Sequence, residues 1–480
     1  MDTERTTPLD VPGAERMKTV FERMRSATRH GQGPALDVRL ESLDRLKRLL
    51  IDNKEAFAEA LNEDFGCRSR HETLVAEVFA SVSSIKHMRK NLRRWMRSKG
   101  RAVSWVFKPA KARIQYQPLG VIGIIVPWNY PLFLAFDPLA AALAAGNRVM
   151  VKPSEYTPRT SALTAKLLAE AFDEDQVHVV EGGPDIAEAF SRLPFDHLFF
   201  TGSTQVGRYV MRAAAENLTP VTLELGGKSP AILSDGFPID KAVQKIVIGK
   251  LLNAGQTCIA PDYLLVPAGS IDDFTAAFAR IAAEHYPSFE GNSDYSSIVS
   301  QRHYDRLKAL VEDAKSKGAV IMEVNPAEET FKPEGRKISP TVLIGVDESM
   351  RVMQEEIFGP LLPIVPYQTL DEAIRYVNER PRPLALYYFD EDKGNVEKVL
   401  DETISGGVTI NDTVLHVAQD DLPFGGVGPS GMGHYHGFEG FETFSKKKPV
   451  FFQSKWAGTA MLYPPYGKIA NLMLKILIGR

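Results

Sequence analysis

From residue 119 onward, short apolar runs alternate with helical ones, and this alternation constrains the fold more than any other feature of the chain. "GVIGIIVP" reads as a strand and "LFLAFDPLAAALAAG" as a buried helix. "RVMVKPS" reads as a strand before a helix at 158–173, "VHVVEG" and "HLFFTGS" as further strands, "TQVGRYVMRAAAE" as a helix, and "PVTLELGG" as the strand that closes the series. A strand that returns parallel to its neighbour needs a crossover long enough to hold a helix. The pattern therefore predicts parallel βαβ units with helices on both faces. A second such stretch follows Gly227, through "SPAILS", a helix at 238–254, "DYLLVPAG", a helix at 272–284, "SPTVLIGV", "LALYYF" and "GGVTIN". The expected class is α/β, in two halves that pack closely with Cys258 near their junction.

The flanks read differently. Residues 14–100 carry leucines at helical spacing and predict helices. "AVSWVFKPAKARIQYQP" reads as two alternating runs around a Lys-Pro turn, a projecting hairpin over 101–118 with Val103, Trp105 and Phe107 on one face. "KPVFFQS" is a second candidate strand. Exposed apolar strands usually find a partner, so a homodimer is expected. At the end, Ile469, Leu472, Met473, Ile476 and Leu477 fall on one face of a helix that rises only about 18 Å, too short for a ~30 Å hydrocarbon core.

Length and charge narrow the class. With 480 residues the chain holds two or three domains, and a net charge of −3 calls for neither nucleic acid nor an anionic membrane as partner. Its two cysteines, Cys67 and Cys258, cannot form a disulfide framework, which suits a reducing compartment. The start "MDTERTTPLDVPG" has no apolar signal core, and no run reaches the ~18 apolar residues of a spanning helix. The expected location is cytoplasmic.

Two glycine patterns compete for a phosphate. "GVGPSG" is a literal G-x-G-x-x-G, from Gly426 to Gly431, but lacks a strand before it and a helix after it, and reads as a flexible loop. In "HLFFTGSTQVGRYVMRA" a strand enters Gly202 and Ser203, and a helix leaves through Val206 and Gly207. Backbone N–H groups and the helix dipole then favour a phosphate there. Glu224, 22 residues after Gly202, stands where an acid would hold a ribose, yet also faces the cleft as a catalyst would. Lys152 and Glu155 offer a second ribose site.

A lone thiol is more often buried filler than a nucleophile, and Cys258 in "NAGQTCIAPDYLL" starts under that presumption. Cys67 lies in a polar turn with no acid–base motif beside it. His434 and His436 form an H-x-H without cysteine or clustered carboxylates, so no metal site is expected.

"VPWNYP", "VKPSE", "FTGSTQVG", "LELGGKSP", "GQTC", "EEIFGP" and "PFGGVGPSGMG" occur together and in this order. With them, residues 14–452 resemble the NAD(P)-dependent aldehyde dehydrogenases. The segment "MGHYHGFEGFETFSKKKPV" is similar to their class 3 branch, which includes fatty-aldehyde enzymes, and within it to the bacterial coniferyl aldehyde dehydrogenases. The resemblance implies a Rossmann-type cofactor domain at 119–225, a catalytic α/β domain at 226–430, N-terminal helices over 1–100 and a C-terminal oligomerisation strand and tail at 431–480. It implies that Cys258 is the nucleophile, Glu224 the general base and Asn129 an oxyanion donor. Lys152 and Glu155 match ribose ligands; Gly202, Ser203, Val206 and Gly207 match the pyrophosphate turn, with Trp128 beside it; Glu356 and Phe358 match nicotinamide-side contacts. NAD is the implied cofactor, since Glu155 would repel a 2′-phosphate, with NADP accepted as well. The implied reaction passes through a Cys258 thiohemiacetal and a thioester that water hydrolyses. A CoA-acylating dehydrogenase usually lacks the base at Glu224, and a silent NAD-binding protein would not need the Cys–Glu–Asn set. Tyr130, Ile248, Ile259, His416 within "NDTVLHVA" and His434 are candidate substrate contacts, largely apolar. They suggest a hydrophobic aldehyde, aryl-propenal such as coniferyl aldehyde or else medium- to long-chain aliphatic. Relatives' tails lie at the substrate mouth, so the last helix is expected there rather than on a membrane or packed on its own subunit.

Overall fold

The computed structural model describes residues 13–29 and 33–479; the polar start at 1–12, residues 30–32 and the terminal Arg480 of the expected tail helix lie outside them. Strands β1 (Lys99–Arg101) and β2 (Lys111–Pro118) are followed by β3 (Val121–Ile125), β4 (Arg148–Lys152), β5 (Val177–Val179), β6 (His197–Gly202) and β7 (Val221–Leu225). The second half adds β8 (Pro230–Leu233), β9 (Tyr263–Pro267), β10 (Val320–Glu323), β11 (Thr341–Ile344), β12 (Leu361–Tyr367), β13 (Ala385–Phe389) and β14 (Gly407–Ile410). β15 (Gly431–Met432) and β16 (Ser445–Phe452) close the series.

These strands make three sheets. One has the order β15-β7-β6-β3-β4-β5, parallel except where β15 runs against β7. Its order reverses between β3 and β6, and at such a switch point the loops leaving the strand ends part to leave a crevice. The second has the order β10-β11-β12-β9-β8-β13-β14, parallel apart from β10. Their parallel strands are apolar on both faces because helices cover both, as β3 shows with all five residues buried. The helix Phe133–Ala145 is buried along its whole length, and its apolar circumference matches that setting. The chain is thus an α/β fold with a Rossmann-like sheet and a second, catalytic sheet.

The third sheet, β1-β2-β16, is antiparallel and corrects the expected hairpin. The first arm has only three residues, and Trp105–Phe107 form a 3-10 turn instead of one face of a strand. Pro109 has no N–H with which to extend the ladder towards β2. β16 pairs with β2 along its whole length, so the two candidate strands meet within one chain.

Three other expectations shift. The helix expected at 238–254 stops at Leu251, because Asn253 and Ala254 turn left-handed at φ 53° and 51°. The loop "GVGPSG" is pinned rather than flexible, since Leu225 donates its N–H to the Ser430 carbonyl at 3.1 Å and Gly431 lies opposite Glu224. The last helix, Lys468–Ile478, sits on the preceding turn with Ala470 buried and Met473 and Leu477 half-buried, while Ile469, Leu472 and Ile476 of the expected stripe face solvent. Among the described residues no helix is long and apolar enough to cross a membrane.

One buried side chain joins the cofactor sheet to the C-terminal segment. Asn147 accepts from Gly120 N–H at 2.9 Å and donates to the carbonyls of Ala142 at 3.1 Å and Phe444 at 2.8 Å. Asn147→Leu leaves the Gly120 N–H and the Phe444 carbonyl without these partners, while the Ala142 carbonyl keeps the backbone N–H of residue 147, and should cost about 2–3 kcal/mol. A urea midpoint unchanged from wild type would show that the three bonds contribute nothing net.

Candidate active site

The two parallel sheets meet where β7 ends and β8 begins. Glu224 stands near the end of β7, only 2% exposed, and neither carboxyl oxygen has a hydrogen-bond partner among the described residues. Burial holds its carboxyl well above the usual range. Cys258 follows the left-handed turn Asn253–Gly255. Its thiol is pushed up to about 12, by burial first and then by the Glu356 and Glu224 carboxylates, against which the N–H groups of Cys258 and Ile259 pull only weakly. Glu356 is pushed up to about 8, mainly by burial and next by Asp262. The thiol is therefore close enough to both carboxyls to feel them, and each of the three resists ionisation.

Several backbone features fix this group. Gly226 lets the Glu356 carboxyl lie flat against the chain, since a Cβ there would come within 2.1 Å of Oε2. Gly255, at φ +77°, approaches the Gly359 carbonyl so closely that a Cβ would lie 2.3 Å from its oxygen. Asn129, 3% exposed in the loop after β3, donates its side-chain amide to the Gln256 carbonyl at 3.1 Å, so the loop of Asn129 and that of Cys258 are bonded together. Lys228 and Asp262, ion-paired, hold the "EEIFGP" loop: Lys228 donates to the Val352 carbonyl at 2.8 Å and the Glu355 carbonyl at 3.1 Å, and Asp262 accepts from Ile357 N–H at 2.9 Å. Sequence reasoning missed Asn253, Gln256, Lys228 and Asp262 as functional positions; Lys228 lay inside a quoted motif, but nothing in its spacing announced the role.

The cofactor-side residues gather at the switch point. Gly202 ends β6, and Ser203 caps the helix Thr204–Ala215 by accepting from Val206 N–H at 3.3 Å. One of the N–H groups expected to face a phosphate is thus engaged by the cap. Gly207 packs against Leu225, where a Cβ would lie 2.7 Å away, and this brings the helix close to β7. Lys152 is buried at the end of β4, donates to the Pro153 carbonyl and lies 3.8 Å from Glu155, which is half-exposed. Trp128 is boxed by Phe65, His303 and Phe358 at centroid distances of 6.2, 5.0 and 5.3 Å. The orphaned Glu356 Oε1, the bare glycine surfaces and the helix N-terminus suit a dinucleotide laid across the crevice.

The substrate-side candidates divide. Tyr130 is buried, its hydroxyl 2.6 Å from Thr257 Oγ1. The buried Ile259 gives its carbonyl to the Tyr387 hydroxyl, and Tyr387 lies against His416. His416 bonds Thr409 through Nδ1 and leaves a buried Nε2 without a partner. Ile248 is half-exposed and His434 exposed, so neither joins this group as drawn. His436 is buried, and it and His416 lie nearly parallel to Phe424 on either account, at 5.3 and 5.9 Å. Among the described residues no cluster could hold a metal ion.

Comparison with known proteins bears on this arrangement. The description "Aldehyde dehydrogenase family" matches residues 8–450. The chain belongs to the aldehyde dehydrogenase family. It is 52% identical over 463 residues to a "Probable coniferyl aldehyde dehydrogenase" of Pseudomonas aeruginosa, covering 96% of each chain. Among solved structures it is similar to "Substrate bound state of Staphylococcus Aureus AldH", with a TM-score of 0.90, 39% identity and coverage of 96% of this chain and 99% of that one. It also resembles a Mycobacterium tuberculosis aldehyde dehydrogenase complexed with NAD+, at a TM-score of 0.82, 29% identity and coverage of 92% and 90%. This member of the family is an oxidoreductase that acts on an aldehyde.

Gly255→Ala tests how far the thiol depends on its turn. A left-handed alanine facing a carbonyl is strained by about 1–3 kcal/mol, so the loop should shift and kcat should fall at least tenfold. Isothermal titration should find NAD affinity within twofold of wild type; an undiminished kcat would mean the turn tolerates the methyl group.

Proposed function

We propose that this aldehyde dehydrogenase oxidises a hydrophobic aldehyde, an aryl-propenal such as coniferyl aldehyde, to the carboxylic acid, with NAD preferred and NADP accepted. The observation that carries the reading is the unpartnered, buried Glu224 carboxyl beside the Cys258 thiol. Such a pair has no use in packing, since burying a carboxyl without a partner is costly. Cys258 adds to the aldehyde carbonyl, and Glu224 is the group placed to take the thiol proton. The adduct's oxyanion needs donors, supplied by the Asn129 amide and the Cys258 backbone N–H; losing one typically costs about 3–4 kcal/mol. When bound, NAD supplies the hydride acceptor that turns the adduct on Cys258 into a thioester. Gly202, Ser203, Val206 and Gly207 would hold its pyrophosphate, Lys152 and Glu155 a ribose, and Trp128, Glu356 and Phe358 the nicotinamide side. Once it has released the thiol proton to solvent, Glu224 draws a proton from the water that cleaves the thioester. A carboxylate in that position supports hydrolysis over transfer to CoA, which NADH formation with and without CoA would check.

The choice of an aromatic substrate rests on the flat rings near Ile259. His416, Phe424 and His436 stack on one another as a column of rings, and aromatic side chains of this kind favour offset or edge contact with a conjugated ring over a coiled alkyl chain. The name of the 52% identical relative supports the same choice. A panel of kcat/KM values should favour aryl-propenals over C8–C12 alkanals by about tenfold or more; the reverse order would install the aliphatic reading.

Cys258→Ala should abolish turnover and leave NAD binding intact, with residual activity above a few per cent sinking the assignment. Glu224→Gln should give a burst of NADH and then slow turnover as the acyl-enzyme accumulates, which intact-protein mass spectrometry would detect. A base with a raised pKa is protonated and idle at low pH and becomes active as pH rises through that pKa. Thioester hydrolysis in the wild type should therefore accelerate as pH rises above the ordinary carboxylate range, and Glu224→Gln should flatten that rise.

Pairing into a homodimer is inferred from β16, the outer strand of its sheet, where Phe451 and Phe452 are exposed. Light scattering at micromolar protein should give twice the chain mass, and a monomer mass would refute the pairing. A cytoplasmic location is proposed from the two unpaired cysteines. The tail helix is proposed to lie at the substrate mouth of the pair.

A further inference from the structure

Away from the reacting groups, Arg68 and Glu77 form a wholly buried ion pair with an N–O distance of 3.3 Å. Removing two charges from water is costly, and a pair of this kind often adds little to stability compared with apolar residues. Most of its partners lie in the segment that carries Asn129. Arg68 Nη1 donates to the Asn129 carbonyl at 2.8 Å, and the guanidinium packs over the rings of Phe65 and Tyr130 at 4.8 and 5.1 Å. Glu77 Oε2 accepts from the N–H groups of Leu132 and Phe133 at 2.7 and 3.3 Å. The Asn129 carbonyl takes a second bond from the Asn253 side chain at 3.2 Å, and Asn253 N–H is held by Glu72 Oε1 at 3.0 Å. Glu72 in turn accepts from Ser296 at 2.8 Å.

The local backbone is unusual at the same place. Residues Thr73–Phe79 form a π-helical segment between two α-helical stretches. The wider turn buries Thr73, Glu77 and Val78 together, and such segments are costly enough to persist mostly where function needs the register. Arg68, Glu72 and Glu77 therefore grip the loop of Asn129 from one side and the left-handed turn before Cys258 from the other, and none of them reaches the reacting atoms.

We propose that Arg68, paired with Glu77, is a positioning residue that sets the Asn129 amide against Cys258 by fixing the backbone carbonyl of Asn129. The inference rests on the reading of Asn129 as an oxyanion donor. With the carbonyl locked by two donors and the next turn locked by Glu77, the plane of the Asn129 loop has no freedom to rotate, and its side-chain amide starts from one place. Releasing the clamp lets that amide drift, and a misplacement of about 1 Å is enough to cost about a hundredfold in a reaction step.

The experiment uses the full-length enzyme with NAD and a good aldehyde substrate in stopped flow. Arg68→Met combined with Glu77→Gln removes both charges, so no unpaired ion is left buried; Arg68→Lys keeps the charge but not the fork. The expected result is an NADH burst slowed about ten- to a hundredfold in the first variant and less in the second. The NAD dissociation constant and the rate of thioester hydrolysis should change less than threefold. In an Asn129→Ala background the Arg68/Glu77 change should slow the burst no further, because its effect runs through the missing amide. A burst of wild-type rate in both clamp variants overturns the proposal, as do losses that multiply with Asn129→Ala. A slow burst in Asn129→Ala beside a normal one in the clamp variants removes the clamp alone; an unchanged burst in Asn129→Ala removes the oxyanion reading and the clamp's catalytic role with it.

Discussion

Four residues, 226–229, separate the last parallel strand of one sheet from the first strand of the other. So short a link forces two large parallel sheets to abut at the ends of β7 and β8, and most of the site follows from that contact. Glu224 is carried to the seam by β7, and the Lys228–Asp262 pair fastens the seam to the loop of Glu356. Gly226 in the link leaves room for the carboxyl of Glu356 where a side chain would otherwise stand. The candidate site is thus a property of a junction, with neither sheet holding it alone.

The alternation of strands and helices was legible because parallel strands buried on both faces are apolar throughout and their crossovers are helical in period. β3, β4, β6 and β7 and the helices between them lie where that pattern put them. Where reading failed, a local signal pointed elsewhere. β12 holds Pro363 and Pro366 and would be rejected as an interior strand, yet it sits between β11 and β9. The first arm of the hairpin looked long by alternation, but pairing ends at Arg101. The tail showed an apolar stripe, and periodicity does not say what the stripe faces; three of its five residues are in solvent.

The site divides in the same way. Cys258, Glu224 and Asn129 stood in short recognisable strings, and the family likeness separated the two roles that spacing left open for Glu224. The groups that hold them did not stand out. Arg68 and Asn129 are 61 positions apart and Asn129 and Gln256 are 127, and a bond between side chain and backbone at such separations leaves no periodic trace. The left-handed conformation of Ala254 is equally silent, since alanine carries none of the usual marks of a turn.

The raised pKa of the Cys258 thiol has a consequence outside turnover. Peroxides and disulfides attack thiolates, and a thiol kept protonated reacts with them slowly. A lone thiol ionised at rest would be lost to such oxidants more quickly. Here burial and two neighbouring carboxyls favour the protonated sulfur. The same surroundings that disfavour the thiolate therefore also disfavour its oxidation.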